Sequence, residues 1–205
     1  MKAFTTLKAV SIPIDMVNVD TDQIIPVRFL PRPRTDPNYD TFLFHDLRFD
    51  ADGKEKPDFI MNRDPYRNGQ VIVADENWGC GSSREGAVWT LVANGIRCVI
   101  APSFGDIHHN NAMKNGMLPI RLPVRDCATL RAQINEKPGA EITIDLEAQT
   151  VIGPDGTSYS FEIDPFQKYR MLNGLDDIDV TMEYAKEFEN FESRYRKEAT
   201  WLFAD

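Results

Sequence analysis

The sequence predicts an α/β fold, and three observations support that prediction. Apolar runs typical of buried strands cover residues 70–75, 96–101 and 117–122. The segments between these runs have helical patterns that stop at Gly95 and Gly116. Strands that alternate with single helices imply right-handed crossovers, which place the strands side by side and parallel in one sheet.

The other elements follow from their own patterns in chain order. We expect a strand within residues 2–13, a tight turn at 18–26 that sends Ile24 and Ile25 into the core, an extended proline-rich loop at 27–37, a short helix or turn at 41–49 and a surface loop at 50–68. A helix at 125–136 precedes a β-meander over residues 141–163, and further helices are predicted at 164–173 and 181–202. In the last helix four aromatic residues recur on one face, which indicates docking against the domain or a partner: Tyr184, Phe188, Phe191 and Tyr195.

Composition excludes several classes of protein. The chain has 205 residues and a net charge of −9, which argues against a nucleic-acid or acidic-membrane surface. No apolar run reaches membrane-spanning length, and the N-terminus lacks a signal-peptide core. The three cysteines are widely spaced, which predicts a reducing cytoplasm and no disulfide framework. Because no Cys-x-x-Cys pair is present, we also expect no metal site within this chain.

A glycine-rich segment, Asn-Trp-Gly-Cys-Gly-Ser-Ser-Arg-Glu, joins the first of the three apolar runs to the next helix. Gly79 and Gly81 permit positive φ angles and a close approach of the backbone to a ligand. Ser82 and Ser83 are expected at the helix start, where free N–H groups and the helix dipole attract anions. Arg84 adds a guanidinium fork for a carboxylate or phosphate. The segment therefore predicts an anion site that holds a hydroxyl group, with an ordinary Ser-capped helix as the alternative.

Two stretches of the N-terminal part carry groups suited to such a site. Thr21 and Asp22 belong to a tight turn, and the carboxylates there are able to orient a nearby base or arginine; a purely structural turn is the alternative. The loop from Val27 to Pro37 includes Arg28 and Arg34, which is notable in an acidic chain. These arginines meet an acidic ligand or partner, or they belong to a solvated basic loop, and the sequence favours neither reading.

The turn and the glycine-rich segment together resemble the small subunit of 3-isopropylmalate dehydratase, a family of the aconitase superfamily. The resemblance rests on Asp20–Pro26 and Gly79–Glu85 and continues through residues 44–49, 99–104 and 115–119, so it covers most of the chain. It implies the swivelling β/β/α domain of the aconitase C-terminal type. We expect this domain over residues 1–163 and a C-terminal helical extension over residues 164–205.

The resemblance also implies a reaction and a partner. It implies a hydro-lyase that interconverts 2-isopropylmalate and 3-isopropylmalate in leucine biosynthesis by dehydration and rehydration, and that is active only as a heterodimer. A separate large subunit would carry a [4Fe–4S] cluster as the Lewis acid for the hydroxyl of a 2-hydroxy diacid. This chain would bind no cofactor and no metal ion of its own.

Roles within this chain are implied by the same resemblance. Ser82 would be the base that removes the carbon-bound proton, in a shell of donors from Gly81, Ser83 and Arg84. Ser83 and Arg84 would also grip a substrate carboxylate. Thr21 and Asp22 would support the site. The loop that contains Arg28 and Arg34 would help to choose the group carried by the malate.

One departure from the family pattern leaves the substrate open. The family commonly has histidine after Ser-Arg-Glu, whereas this chain has Gly86, and glycine in a helix costs about 1 kcal/mol relative to alanine. Citramalate, homoaconitate or a dimethylmalate-like acid is therefore an alternative substrate.

Two interpretations from other functional classes also fit parts of the sequence. The first is a hydrolase with Cys80 as nucleophile and His108 or His109 as base. Because adjacent helical residues point in different directions, only one of these histidines can face the site, and we do not expect the pair to bind metal. The second is a non-catalytic module that binds anionic metabolites or a partner protein.

Overall fold

The computed structural model describes residues 1–82 and 84–202, and these residues contain a mixed seven-stranded sheet. The strands are β1 (Thr6–Ile14), β2 (Val71–Ala74), β3 (Cys98–Ala101), β4 (Leu118–Arg121), β5 (Glu141–Asp145), β6 (Thr150–Ile152) and β7 (Ser158–Ser160). The helices are α1 (Thr21–Ile24), α2 (His45–Arg48), α3 (Glu85–Ala93), α4 (Asp106–Lys114), α5 (Val124–Glu136), α6 (Pro165–Asn173), α7 (Asp177–Met182) and α8 (Ala185–Glu198). The order across the sheet is β4-β3-β2-β1-β5-β6-β7.

Strand β1 divides the sheet into two halves. Its second part pairs in parallel with β2, with Ser11 opposite Val71, and β3 and β4 continue this parallel half. Its first part pairs antiparallel with β5, with Thr6 opposite Asp145, and β6 and β7 complete a meander. The predicted α/β class, the parallel crossovers and the meander are therefore confirmed.

The core lies against the parallel half of the sheet. Every residue of β2 and β3 is buried, as expected for parallel strands that are covered on both faces. Helix α5 packs against β1 and β2 and places Arg131 at their carboxyl ends. Its guanidinium donates to Asp15 Oδ1 at 2.8 Å, to Ala74 O at 2.7 Å and to Asp75 Oδ2 at 2.6 Å. This buried arginine fixes the edge of the sheet at which the loops of the next section leave the strands.

Two loop predictions are wrong in part. Val27–Phe29 at the start of the proline-rich loop is a single 3-10 turn rather than extended chain. The predicted surface loop at 50–68 contains 3-10 turns at Ile60–Asn62 and Tyr66–Asn68, which bury Met61 and Tyr66. A turn that buries one side chain has no hydrophobic period, so a periodic pattern cannot predict it.

The prediction of one long helix over residues 181–202 is also wrong. Helix α7 begins earlier, because Asp176 and Asp179 form a reciprocal capping box with N···O distances of 2.9 Å. Helix α8 follows after a break and ends at Glu198, and Thr200–Leu202 is a 3-10 turn. The rings of the aromatic face are 38–56% exposed, so this face is partly open to solvent, and its docking against the domain or a partner stays a prediction.

Helix α6 connects the predicted extension to the rest of the molecule. Met171 is buried in the main core, and Phe4 N donates to Met171 O at 2.9 Å. The N-terminal amino group donates to Gly174 O at 2.7 Å. The predicted boundary between residues 163 and 164 therefore falls just before a helix that packs on the first unit, and the division into two domains stays a prediction. Within the described residues, no helix has the length and apolarity needed to cross a bilayer.

Candidate active site

Three loops meet at the carboxyl ends of β1, β2 and β3: residues 18–25, 77–84 and 103–108. Backbone hydrogen bonds join the middle loop to both of its neighbours. These bonds run from Gly79 N to Val19 O at 2.7 Å, from Thr21 N to Cys80 O at 3.0 Å, from Trp78 N to Ser103 O at 3.0 Å and from Gly105 N to Trp78 O at 2.8 Å. This is the edge at which ligands of parallel sheets bind.

The turn that contains Thr21 is a one-turn helix held by its own cap. Asp20 Oδ1 accepts from Gln23 N at 2.7 Å, and Gln23 Oε1 accepts from Asp20 N at 3.2 Å. The two side chains thereby satisfy donors at the start of α1 that have no helical partner. The cap orients Thr21 and Asp22 toward the glycine-rich loop, and Ile24 enters the core as predicted.

A cavity of about 220 Å³ lies between the three loops. It is lined by Thr21, Gly79, Gly81, Ser82, Arg84, Gly105, Asp106, Ile107 and His108. Thr21 Oγ1 donates to Ser82 O at 2.8 Å, which fixes the backbone of the loop that carries the serine. The structure thus brings together four of the site residues named from the sequence, Thr21, Gly81, Ser82 and Arg84, from segments about 60 residues apart.

Asp22 pairs with Arg84 across the same junction. Nη1 of Arg84 donates to Asp22 Oδ1, and the side chains are 16% and 54% exposed, respectively. A guanidinium has five N–H donors, so this pair leaves Arg84 with capacity for a ligand carboxylate. Asp22 does not line the cavity, but its partner Arg84 does.

The helix after the loop begins later than the sequence predicts. Helix α3 starts at Glu85 with Arg84 in extended conformation at its N-cap, so Ser82 does not lie in the first turn. Gly81 has a φ of +87°, and this left-handed residue delays the entry into the helix. Ser82 is exposed at the mouth of the cavity. The predicted binding residue Ser83 lies outside the described residues.

Arg28 and Arg34 are not among the residues that line the cavity. The guanidinium of Arg28 forms a two-pronged ion pair with Asp46, in which Nη1 lies 2.9 Å from Oδ2. Asp46 raises the pKa of Arg28, and Arg28 lowers the pKa of Asp46. The guanidinium of Arg34 lies 5.4 Å from the ring centroid of Trp89. Contact of either arginine with substrate stays a prediction.

Gly86 lies in a position with little free space. A Cβ atom added to Gly86 would lie 3.3 Å from the hydroxyl of Tyr39 and 3.4 Å from Cδ2 of Leu30. The first contact is tight and the second is at the edge of ordinary van der Waals contact, so a larger side chain at this position requires Tyr39 to shift slightly.

The environment of Cys80 does not favour the hydrolase interpretation. Burial raises the pKa of the Cys80 thiol, and the charge of Asp20 adds to the effect, whereas a nucleophilic cysteine needs a lowered pKa. His108 lines the cavity and His109 lines another pocket. Adjacent residues of a helix point in different directions, so this arrangement agrees with their positions in the sequence. The sequence predicts that only one of the two histidines can face the site, and the structure places His108 there.

Metal ligands are a separate question. Across residues 1–82 and 84–202, no group of three or more His, Cys, Asp or Glu side chains is arranged to hold a metal ion. Two of the cysteines, Cys98 and Cys127, are buried, and burial raises the pKa of both thiols, that of Cys127 to about 12.

Two protein-family models and full-length relatives match this chain. The model of the aconitase C-terminal domain matches residues 1–125, and a model described as LeuD_N matches residues 128–165. The 3-isopropylmalate dehydratase small subunit of Paramagnetospirillum magneticum is 48% identical over 202 residues, which are 98% of this chain and 100% of the relative. That of Nitrobacter hamburgensis is 48% identical over 201 residues, with the same coverage.

A solved structure agrees with these matches. The crystal structure of 3-isopropylmalate dehydratase from Methanocaldococcus jannaschii superimposes with a TM-score of 0.62 at 26% identity. The match covers 92% of this chain and 98% of the other chain. The fold that the resemblance implied is confirmed.

Proposed function

The chain belongs to the family of 3-isopropylmalate dehydratase small subunits, which carry the aconitase C-terminal domain, and from this premise we propose the reaction and the roles that follow. The chain acts with a large subunit as a hydro-lyase that interconverts 2-isopropylmalate and 3-isopropylmalate. One observation carries the proposal: Thr21, Ser82 and Arg84 line one cavity at the carboxyl edge of the sheet. That cavity holds a hydroxyl and a guanidinium, which suit a hydroxy acid.

Ser82 is the base that takes the carbon-bound proton in dehydration and returns it in rehydration. A serine is a poor base in water, so its alkoxide needs preorganised donors and positive charge. Arg84 lines the same cavity and supplies the charge. Gly81 exposes its backbone there, with a φ of +87° and no side chain in the way. The hydrogen bond from Thr21 to Ser82 O supports this role, because it holds the reacting residue in place before substrate arrives.

Arg84 binds a substrate carboxylate. Its partner Asp22 occupies one terminal nitrogen and leaves the rest of the fork for the ligand. A bound carboxylate then shares the guanidinium with Asp22, which is about half exposed and remains hydrated. Ser83 is the second carboxylate ligand in this proposal, as the resemblance implies.

The large subunit supplies the cofactor. The resemblance to the family implies a [4Fe–4S] cluster, and we place it on the large subunit. When bound there, such a cluster offers a Lewis acid for the departing hydroxyl. The three free cysteines support a location in the reducing cytoplasm.

The loop with Arg28 and Arg34 selects the substrate. Leu30 of that loop lies 3.4 Å from the position of an added Cβ at Gly86, so the loop packs against the start of α3, next to Arg84. Exchange of residues 27–34 is expected to change relative kcat/KM across malate derivatives. Citramalate, homoaconitate and dimethylmalate-like acids are the competing substrates in that test.

Steady-state kinetics of three variants with one preparation of large subunit test the proposal. Ser82→Ala removes the base and keeps the charge, so kcat falls by about 10²-fold or more while KM changes little. Arg84→Lys keeps a charge and loses the fork, so KM rises and kcat also falls. Cys80→Ala is the matched control two residues from Ser82, and it retains most of the activity.

The same experiment has outcomes that would overturn the proposal. An active Ser82→Ala variant beside an inactive Cys80→Ala variant would reverse the assignment of the reacting residue. Turnover by this chain without a large subunit would exclude the division of labour. Turnover of none of the hydroxy acids by the wild-type pair would exclude the reaction itself.

A further inference from the structure

His108 is a buried histidine whose ring nitrogens have no hydrogen-bond partner in the described part of the chain. It lies on α4 and is 3% exposed. Neither Nδ1 nor Nε2 is hydrogen bonded, and both are covered by protein atoms. Buried polar side chains nearly always have partners, because an unpaired donor loses its hydration without compensation. An unpaired imidazole in such a place requires an explanation.

His108 is one of the residues that line the cavity containing Ser82 and Arg84. A Cβ atom added to Gly79 would lie 2.3 Å from Cγ of His108, so the ring presses directly on the glycine backbone. A Cβ atom added to Gly105 would lie 2.4 Å from Gly79 O. We call Gly79, Gly105 and His108 the cavity wall. Because Gly79 and Gly105 have no side chains, the imidazole of His108 supplies the side-chain hydrogen-bonding groups of this wall.

Packing alone does not account for the choice of histidine at this position. A phenylalanine ring would press on Gly79 in the same way and would leave no buried nitrogen unpaired. The next residue, His109, packs edge-to-face on Phe104 at a centroid distance of 5.5 Å and lines a different pocket. Burial, with a smaller effect from His109, lowers the pKa of His108 to about 4, so its ring is neutral at pH 7 and has one N–H donor and one acceptor nitrogen.

We propose that His108 is a substrate-binding residue, a neutral imidazole whose N–H donates to an oxygen of the hydroxy diacid when substrate fills the cavity. The inference rests on the proposed function and adds a residue to that site. Arg84 supplies the positive charge for a carboxylate, and His108 adds a directional donor without adding charge. The arrangement fixes the orientation of the acid relative to Ser82.

The hydrogen bond forms on binding and is absent in the ligand-free chain. Both nitrogens are covered there, so the side chain of His108 must shift slightly as substrate enters. The glycine-rich loop stays held by its hydrogen bonds from Gly79 N to Val19 O and from Thr21 Oγ1 to Ser82 O. The unpaired state is thus an unfavourable ligand-free state that substrate relieves.

The test compares His108→Phe with His109→Phe, two equal substitutions on neighbouring residues. Each variant of the small subunit is combined with wild-type large subunit and assayed over a range of substrate. We expect His108→Phe to raise KM about tenfold with a smaller change in kcat, the size of one lost hydrogen bond to a charged group. His109→Phe leaves both constants near the wild-type values.

A second measurement separates binding from packing. The melting temperature of each small subunit alone at pH 7 is expected to rise for His108→Phe, because the variant no longer buries an unpaired polar group. Higher stability with weaker substrate binding is a pair of changes that lost packing does not produce. A His108→Phe variant with wild-type KM would overturn the proposal, as would one that loses stability and activity together.

The proposed function fails separately from this inference. Wild-type turnover on a panel of hydroxy diacids decides the function first, and the acid with the highest kcat/KM is then used for both variants. Activity of the wild type with an unchanged His108→Phe variant would refute the role of His108 alone. Inactivity of the wild type on the whole panel would refute both.

Discussion

Aromatic and imidazole rings lie in opposite environments at the cavity wall and on the C-terminal arm, residues 177–202. At the wall, His108 is 3% exposed and presses on Gly79, with no room for a methyl group between them. On the arm, the rings of Phe188 and Phe191 are about half exposed. The wall depends on the absence of a side chain at Gly79, whereas the arm presents rings that are about half open to solvent. The two regions therefore differ in how much change they tolerate.

The largest expected effect is the addition of one methyl group at the wall. Gly79→Ala places Cβ 2.3 Å from Cγ of His108 and forces alanine to a φ of +68°. Overpacking costs about 1–3 kcal/mol and the left-handed backbone about 1–2 kcal/mol, so we expect a loss of about 4 kcal/mol in the free energy of unfolding. Urea denaturation of the isolated chain measures it.

Gly53→Ala is the matched control for that variant. Gly53 has a similar φ of +76°, and an added Cβ meets nothing within 4 Å. This substitution carries the backbone cost alone, about 1–2 kcal/mol. Equal losses in the two variants would mean that the contact between Gly79 and His108 has no role in the stability of the wall.

The next effect is a dependence of stability on pH that arises at the wall. Burial lowers the pKa of His108 to about 4 in the folded chain, whereas a histidine in the unfolded chain has a pKa of about 6.5. The unfolded state therefore binds a proton first as pH falls, and the stabilisation present above pH 6.5 is lost between pH 6.5 and pH 4. Linkage gives a loss of about 3 kcal/mol over that window.

His108→Phe removes this dependence and shows how much of it belongs to one ring. Carboxylates with lowered pKa, such as Asp46 and Glu55, lose stabilisation in both proteins, so they cancel in the difference. His109→Phe is compared with it, because burial also lowers the pKa of His109. This variant measures how much of the pH dependence belongs to the neighbouring ring. Free energies of unfolding at pH 7 and pH 4 that fall equally in wild type and His108→Phe would contradict the prediction.

The same comparison explains which parts of the fold the sequence predicts. Strands β2 and β3 are buried along their whole length, so each one is a continuous apolar run in the sequence. Such a run is recognised without any alternation of polar and apolar residues. The turn of the meander is signalled by Gly156, which has a φ of +86°. The break before α8 has no such signal, because the aromatic period of the arm continues through Tyr184.

Contacts between distant residues account for most of what the sequence leaves out of the site. The composition of each motif indicates a site, but it does not indicate which motifs are in contact. The hydrogen bond from Thr21 to Ser82 joins residues 61 positions apart. In the sequence Arg28 has no evident partner, whereas in the structure it forms an ion pair with Asp46, 18 residues along the chain. Whether a charged or polar group is already paired is decided by the packing of distant segments, and no local pattern records it.

The smallest expected effect lies on the C-terminal arm. Replacement of Phe188 and Phe191 by alanine removes two rings that are 49% and 51% exposed and keeps good helix formers in α8. We expect the free energy of unfolding of the isolated chain to change by less than about 0.5 kcal/mol, as for other exposed substitutions. Phe44→Ala is the matched control, because the ring of Phe44 is fully buried near Trp78 and its loss should cost about 3–5 kcal/mol. If the double variant on the arm loses as much as Phe44→Ala, the arm packs on its own domain in solution and the contrast with the cavity wall disappears.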